Sequence, residues 1–255
     1  IYTRSLVGQR QMCIRDSTYA MEPHALTFRR PWDCAFVSSC LASQGSTLVV
    51  GDAMHSLTVL TVAEDGRLSE SARDLHPYWT SAVCVLDEEQ QRYLGTDVAM
   101  NLFVAERAKG TEPESPWSHV MRHAAACHVG DLVNAIHTLP GGRVMYATAS
   151  GALGTLVHVP EPVARVLLCV QDAMIEVVPA PGDIPWESWR TSRTDTRTEP
   201  PHHILDADVL RFFVSDPSVR SPCLDKAGSL AQARDIPMAE MAEERILEML
   251  HALLS

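Results

Sequence analysis

Three segments of the chain share one pattern of hydrophobic and polar positions. In each, an apolar run rich in Val, Leu and Tyr is followed by a short turn of Gly, Asp, Ser or Ala and then by a second apolar run. This pattern predicts β-hairpins over residues 47–62, 92–106 and 143–159. If Leu57, Leu102 and Leu156 are taken as equivalent positions, the hairpins are separated by 45 and 54 residues. The pattern therefore indicates a repeated unit.

Two more strand candidates complete the repeat. Residues 81–86 (SAVCVL) come before the second hairpin, and residues 131–139 (DLVNAIHTL) come before the third. The period then holds about four short strands, which is typical of β-propeller blades, because each small sheet covers its faces against neighbouring sheets. An antiparallel sandwich with coincidental spacing is the alternative.

After the third hairpin, the pattern changes to a helical period. Apolar residues between Val163 and Val177 form one stripe, and Pro162 suits the first turn of a helix. A loop rich in Pro, Thr and Arg follows. Two further helices are predicted over residues 206–216 and 236–255.

The predicted fold is therefore mainly β: a partial WD-like β-propeller comprising the last few blades, about three, over residues 18–160. A small C-terminal α-helical domain follows over residues 161–255. Residues 1–17 (IYTRSLVGQRQMCIRDS) carry neither the apolar core of a signal peptide nor a period that continues into the next segment. They resemble the peptide that results when a sequencing adaptor is translated with a transcript. We expect this segment to be a non-native leader outside the fold.

Composition and charge narrow the classes of function. Hydrophobic residues make up 46% of the 255 residues, enough for a buried core, and no apolar run reaches the roughly 18 residues of a membrane span. The 21 Lys and Arg residues against 32 Asp and Glu residues give a net charge of -11, which disfavours direct binding of nucleic acid or of a membrane surface. Seven scattered cysteines without a CxxC pair indicate reduced thiols, buried in an intracellular protein.

Candidate catalytic and metal-binding residues are few. His202 and His203 precede Asp206 and Asp208, but adjacent histidines point in different directions, and the two aspartates suit the start of a helix. The HAAACH segment at residues 123–128 lacks the four-ligand spacing of a zinc site. No glycine-rich phosphate-binding motif opens a helix. We therefore predict no enzyme activity, no metal and no cofactor.

A cluster of three arginines lies among threonines at residues 190–197. Pairing with the nearby acidic residues Glu187, Asp195 and Glu199 on the surface is one interpretation. A strip that binds phosphate is the other, and it requires Arg190, Arg193 and Arg197 to lie on one exposed face.

Several segments occur in the same order as in a known family. The strongest matches are the patterns ARD...P.W.SAV..LD, NLFV and WR...T.R.TEP...D.D, with HVGDLVNAIHTL and SGALGTL in support. Together they resemble the C-terminal part of the damage-specific DNA-binding protein 1 family, the adaptors of cullin-4 ubiquitin ligases, over residues 33–255. The same superfamily includes large subunits of cleavage and polyadenylation factor and of splicing factor 3b. The ARD, P.W.SAV and TEP segments favour the ligase adaptors.

The resemblance implies the last blades of a third propeller and the helical domain that follows it. In that family one propeller binds cullin-4, and the other two form a pocket for a helix and loop of WD-repeat substrate receptors. The implied function is a non-catalytic scaffold of nucleus and cytoplasm, linked to ubiquitination and DNA repair. It would contact cullin-4 through an upstream propeller outside this sequence. It would contact DNA only through a partner, and it would not contact a membrane. A nucleic-acid-binding subunit of an RNA-processing complex is the alternative.

The resemblance also implies a receptor-binding surface. Trp79 and Asn134 match residues that line the family's pocket. The other matching positions are His55, Val98, Met100, Leu132 and Ala149. Four of these depart from the family pattern, with His55 in place of Arg, Val98 in place of Asn, and Met100 and Leu132 in place of Phe. A propeller tryptophan can also pack between blades instead of contacting a partner.

Overall fold

The computed structural model describes residues 2–3, 15–22, 25–33, 37–107 and 119–254. Contacts between residues divide the chain into two compact units. The β unit consists of Ile1–Leu156 and Arg190–His202, and the helical unit consists of Val157–Trp189 and His203–Ser255.

Antiparallel sheets follow one another along the β unit, and in each sheet every strand pairs with the next one in the chain. The first sheet contains β1 (Tyr2–Thr3), β2 (Arg15–Glu22) and β3 (Ala25–Asp33). The second contains β4 (Ser38–Gln44), β5 (Thr47–Asp52), β6 (Leu57–Val62) and β7 (Leu68–Arg73). The third contains β8 (Thr80–Asp87), β9 (Arg92–Asp97), β10 (Asn101–Arg107) and β11 (Met121–His128). The fourth contains β12 (Val133–Thr138), β13 (Val144–Thr148) and β14 (Leu153–Leu156).

The predicted repeat is present in this order of strands. The three predicted hairpins are β5–β6, β9–β10 and β13–β14, and the two added strand candidates are β8 and β12. The second and third sheets each have four strands in meander order, which is the design of a propeller blade. The predicted fold class, mainly β with a partial propeller and a C-terminal helical part, is confirmed.

One hydrophobic core joins the second and third sheets. Val49 and Val59 of the second sheet cluster with Val83 and Phe103 of the third, and all four side chains are buried. Each sheet therefore covers a face of its neighbour, as blades must when no single sheet can bury its own hydrophobic face.

A glycine lies opposite an aromatic residue in two successive sheets. Gly95 pairs with Phe103 across β9 and β10, and Gly154 pairs with Tyr146 across β13 and β14. A Cβ atom added to either glycine would overlap the ring of its partner. Glycine at these positions therefore makes room for the aromatic ring to pack on the strand, and it is not required by a turn.

The chain after β14 is largely helical. It forms α1 (Glu161–Val177), α2 (Trp186–Arg190), α3 (Ala207–Ser215), α4 (Arg220–Ala233) and α5 (Glu243–Leu254). Leu167 and Val170 of α1, Phe213 of α3, and Ile246 and Leu250 of α5 are buried in one core. Helices α1, α3 and α5 are the three that the sequence predicts.

Helix α4 was not predicted because small residues form its buried face. Cys223, Ala227 and Ala231 recur every fourth position and are fully buried, together with Gly228. Small side chains let helices approach closely but give no strong apolar stripe in the sequence. The thiol of Cys223 lies 3.6 Å from the carbonyl oxygen of Val170 in α1, which shows how closely the two helices pack.

Two predicted boundaries differ from the structure. The helical domain was predicted over residues 161–255, but Arg190–His202 belongs to the β unit, where β15 (Ser192–Arg193) pairs with β16 (Thr198–Glu199). We call Arg190–His202 the return segment. Within the leader predicted over residues 1–17, Tyr2–Thr3 and the start of β2 pair in the first sheet, and the non-native origin of the leader stays a prediction. The rest of that leader, residues 1 and 4–14, lies outside the described residues.

Candidate partner-binding surface

The hairpin turns of the second and third sheets are closed by a buried aspartate. Asp52, the last residue of β5, accepts hydrogen bonds from the backbone N–H of Met54 (2.7 Å) and His55 (2.5 Å). Asp97, the last residue of β9, accepts from the backbone N–H and the side-chain amide of Asn101, each at 2.9 Å. Both carboxylates are buried. A buried carboxylate bonded in this way fixes the shape of its turn.

The fourth sheet closes the equivalent turn with a threonine. Thr148 ends β13, and its hydroxyl oxygen accepts from the backbone N–H of Ala152 (3.0 Å). Each of the three turns also contains a residue with left-handed backbone: Ser56 (φ 64°), Met100 (φ 66°) and Gly151 (φ 94°). The turns are therefore tight, and they leave Met54, Met100 and Ser150 exposed, whereas Ser56 is buried.

Backbone hydrogen bonds connect these turns to the segments that join the sheets. We call the five bonds the turn ladder. They run from Ala53 N–H to Val37 O (3.1 Å), Ser56 N–H to Tyr78 O (3.2 Å), Val98 N–H to Trp79 O (2.9 Å), Val129 N–H to Met100 O (2.8 Å) and Ala149 N–H to Leu132 O (2.8 Å). Turns from three sheets and the connections between them therefore form one continuous edge.

Trp79 lies on the turn ladder with its side chain in solvent. Its neighbour Tyr78 points inward, where its ring lies 5.0 Å from that of Phe103 and burial raises the pKa of Tyr78 to about 12. Trp79 points outward and is 56% exposed. Its carbonyl is held by Val98, and the carbonyl of Tyr78 is held by Ser56. Trp79 is thus an exposed ring on a fixed backbone.

The other predicted site residues lie on or beside the same edge. Val98, Met100 and Ala149 are exposed in the hairpin turns, and His55 and Leu132 are half-buried. Asn134 is exposed in β12, next to a shift in strand register, and it lies off the turn ladder.

Sequence reasoning missed two apolar residues of this edge. Val37 and Met54 are each 52% exposed and flank the first bond of the turn ladder. Their position could have been found from the repeat, because Met54 lies two residues after Asp52 in the turn that corresponds to the turn after Asp97. The edge therefore carries more exposed apolar surface than predicted.

The return segment binds the outer side of the third sheet. The side-chain amide of Asn101 donates to the carbonyl oxygen of Arg193 (2.9 Å) and accepts from its N–H (3.2 Å). Ala126 in β11 and His202 exchange two backbone hydrogen bonds of 3.2 and 3.1 Å. Asn101 thus joins Asp97, its own turn and the return segment.

The arginines of the return segment have several roles. Arg197 forms an ion pair with Glu199, as the surface-pairing interpretation predicts. The backbone of Arg193 is bound to Asn101. Burial lowers the pKa of His128, and although Asp97 opposes this, the charges of Arg193 and Arg190 lower it further. These contacts favour a structural function of the cluster over a phosphate-binding strip.

Three of the cysteines that the structure describes have thiols with a raised pKa. Burial raises the pKa of Cys40 and Cys84 to about 11 and that of Cys223 to about 12, so these thiols stay protonated near neutral pH.

Asp206 caps α3 by accepting from the N–H of Asp208 (3.0 Å), which confirms the helix-start interpretation of this residue. Among the described residues, no helix combines the length and the apolar character that a membrane crossing requires.

One group of titratable side chains was not predicted. Asp74 and His76 lie between β7 and β8, and His123 lies in β11. The Nδ1 atom of His76 is 2.5 Å from Asp74 Oδ1, and the Nε2 atom of His123 is 2.8 Å from Asp74 Oδ2. A D-x-H pattern at residues 74–76 is visible in the sequence, but its third member comes from a strand almost fifty positions later.

Comparison with known proteins agrees with this architecture. The family model described as the CPSF A subunit region matches residues 4–215, most of the chain. The chain belongs to the CPSF A subunit region family. Among curated proteins, this family member is similar to DNA damage-binding protein 1 of Drosophila melanogaster, with 28% identity over 190 residues, 68% of the chain and 16% of the relative. It is also similar to DNA damage-binding protein 1b of Arabidopsis thaliana, with 28% identity over 187 residues, 68% of the chain and 17% of the relative.

A third relative matches a larger share of the chain. DNA damage-binding protein 1 of Oryza sativa subsp. japonica is 24% identical over 214 residues, 79% of the chain and 19% of the relative. The resemblance found from the sequence motifs is therefore confirmed. The chain spans less than a fifth of the length of these relatives.

Proposed function

We propose that this chain is a non-catalytic scaffold that supplies one wall of a receptor-binding pocket in a cullin-4 ubiquitin ligase adaptor. The observation that carries the proposal is the turn ladder, which presents apolar side chains on a fixed backbone. The exposed apolar residues on it are Val37, Met54, Trp79, Val98 and Met100. A fixed apolar edge suits a partner protein, because little conformational entropy is lost when it binds.

Trp79 is the proposed anchor of this surface, with Asn134, His55, Val98, Met100, Leu132 and Ala149 around it. A partner that covers Trp79 gains a large apolar area at low entropic cost. The departures from the family pattern at His55, Val98, Met100 and Leu132 make this surface able to select its own receptors.

The proposed partners are WD-repeat substrate receptors, each offering a helix and a loop. Contact with cullin-4 is proposed through an upstream propeller of the whole protein, and contact with DNA only through a receptor. The name shared by the relatives, DNA damage-binding protein 1, supports a link to DNA repair. The proposed location is the nucleus and the cytoplasm.

The test compares two tryptophans. In a full-length protein that carries this chain, Trp79→Ala should weaken capture of a purified WD-repeat receptor by about 2 kcal/mol or more, which is about 30-fold in Kd. Trp189→Ala is the matched control, since Trp189 is 47% exposed but lies in the helical unit. Binding should be measured by biolayer interferometry at low and high salt, and it should depend only weakly on salt.

Two results would overturn the proposal. Equal receptor affinity for the wild type and Trp79→Ala would remove Trp79 as the anchor. Affinity that falls steeply with salt, together with direct binding to RNA, would favour a nucleic-acid-binding subunit instead.

A further inference from the structure

A buried carboxylate faces two imidazoles in the β unit. Asp74 has no exposed surface, and both of its ion pairs are with histidines: His76 Nδ1 at 2.5 Å and His123 Nε2 at 2.8 Å. The atoms of these three residues that can bind a metal all lie within 4.8 Å of one another. The side chain of His76 is 25% exposed, so the cluster opens to solvent on one side.

The backbone around this cluster is fixed from several directions. The N–H of Asp74 donates to the carbonyl oxygen of Leu57 (2.8 Å), and the N–H of Tyr78 donates to that of His76 (2.9 Å). His123 lies in a paired strand opposite Ala105. The three side chains therefore start from positions that are already ordered, which lowers the entropic cost of collecting them around one ion.

The ring packing also limits what the histidines can do. The ring of His123 lies between those of His76 and Phe103, at centroid distances of 3.9 and 4.8 Å. The stacked rings therefore hold both imidazoles beside the Asp74 carboxylate, with one nitrogen of each ring turned toward one of its oxygens.

We propose that Asp74, His76 and His123 form a binding site for a divalent transition-metal ion, with Zn²⁺ as the preferred occupant. Two imidazole nitrogens and one carboxylate oxygen are a donor set that Zn²⁺ uses, whereas Mg²⁺ and Ca²⁺ favour oxygen ligands. Water fills the remaining position on the solvent side of His76. The ion links the connection between β7 and β8 to β11, and so holds two neighbouring sheets together.

The ligands need only a small movement to accept the ion. At Zn–N and Zn–O distances of about 2.0–2.1 Å, two ligand atoms of a tetrahedral site lie about 3.3 Å apart. The present N···O distances of 2.5 and 2.8 Å must therefore widen by less than about 1 Å. The widest separation among the three ligand atoms is at most 4.8 Å and must close by no more than about 1.5 Å. His76 lies on a connecting segment at the surface and can make this movement by a change of side-chain angle.

The test uses Co²⁺ as a spectroscopic probe and Zn²⁺ as its competitor. The 255-residue chain, stripped of metal with a chelator, should bind one equivalent of Co²⁺ with visible d–d absorption, and Zn²⁺ but not Mg²⁺ should displace it. His76→Asn and His123→Gln should each weaken binding by about 100-fold or more, since even groups that only support a ligand contribute about 10- to 100-fold. His137→Gln is the matched control, because His137 is exposed in β12.

Several outcomes would overturn the proposal. The absence of saturable binding to the wild type would do so directly, without any variant. A cobalt–thiolate charge-transfer band would place the ion on a cysteine. Equal affinity of the wild type, His76→Asn and His123→Gln, each with an unchanged circular dichroism spectrum, would place it elsewhere, as would displacement of Co²⁺ by Mg²⁺.

Discussion

Replacing Asn101 with alanine should release the return segment from the β unit. The side-chain amide of Asn101 donates to Asp97 Oδ2 and to the carbonyl oxygen of Arg193, both at 2.9 Å. Its oxygen accepts from the N–H of Arg193 at 3.2 Å. Its oxygen also lies 3.2 Å from the Nδ1 atom of His128. Alanine removes all four of these side-chain contacts, while the backbone bond from residue 101 to Asp97 remains.

The magnitude follows from the kind of bond that is lost. A hydrogen bond to a charged group contributes about 1.5–3 kcal/mol, and a neutral one contributes about 0.5–1.5 kcal/mol. The side chain of Arg193 is exposed, so water can replace part of what its backbone loses. Only the two neutral bonds to Arg193 hold the return segment, so we expect a loss of about 1–3 kcal/mol in the free energy that keeps it in place.

The loss should also depend on pH. Burial already raises the pKa of Asp97, although hydrogen bonds from Asn101 oppose the rise. Without the amide of Asn101, the pKa rises further and the folded state takes up a proton more readily. A raised pKa in the folded state means a penalty at neutral pH that is relieved as pH falls, so the deficit of the variant should shrink as pH falls through the raised pKa of Asp97.

Hydrogen exchange measured by mass spectrometry is the appropriate assay, because it reports local opening. Peptides that contain Ala126 and His202, whose backbones are paired, should lose protection in Asn101→Ala. Asn134→Ala is the matched control, since that asparagine is exposed and should cost less than about 0.5 kcal/mol. Unchanged protection of the return segment in Asn101→Ala, or an equal loss in Asn134→Ala, would refute the reasoning.

Two further predictions concern stability. Burial would raise the pKa of Glu106, but hydrogen bonds from Arg122 (2.5 Å) and Arg92 (3.2 Å) outweigh it and hold the pKa below 4.5. Glu106→Gln should therefore lower the free energy of unfolding by about 1–2 kcal/mol near neutral pH. In urea unfolding, this deficit should disappear as pH falls through and below about 4.5. A deficit independent of pH would contradict the two ion pairs of Glu106 as its cause. Gly95→Ala should lower the free energy of unfolding by about 1–3 kcal/mol, because the added Cβ overlaps the Phe103 ring, and an unchanged thermal midpoint would show that the ring moves aside freely.

The strands and hairpins could be predicted because their signals are local. Apolar runs closed by a turn occur three times, and the buried Asp52 and Asp97 end equivalent strands 45 residues apart. Helices α1, α3 and α5 show a clear apolar stripe, whereas the small residues of α4 do not. The resemblance placed Trp79 on the surface of interest, but periodicity alone could not show that Tyr78 points inward and Trp79 outward.

Features that join distant positions could not be read from local patterns. Asn101 and Arg193 are 92 residues apart, and neither side of that contact has a periodic signal. The same holds for the cluster of Asp74, His76 and His123, in which His123 pairs with an aspartate 49 positions earlier. The HAAACH segment was considered as a ligand set by itself, and its first histidine instead contacts Asp74 in the connection between β7 and β8.

The return segment also has a consequence for synthesis on the ribosome. When Asn101 leaves the exit tunnel, its partner Arg193 is still 92 residues away, which is about 5–20 seconds at ordinary rates of translation. During that interval the edge of β11 at Ala126 has no His202 to bond, so a nascent chain exposes a strand that other chains can join. Chaperone binding during translation should therefore be strongest between the emergence of β11 and that of the return segment.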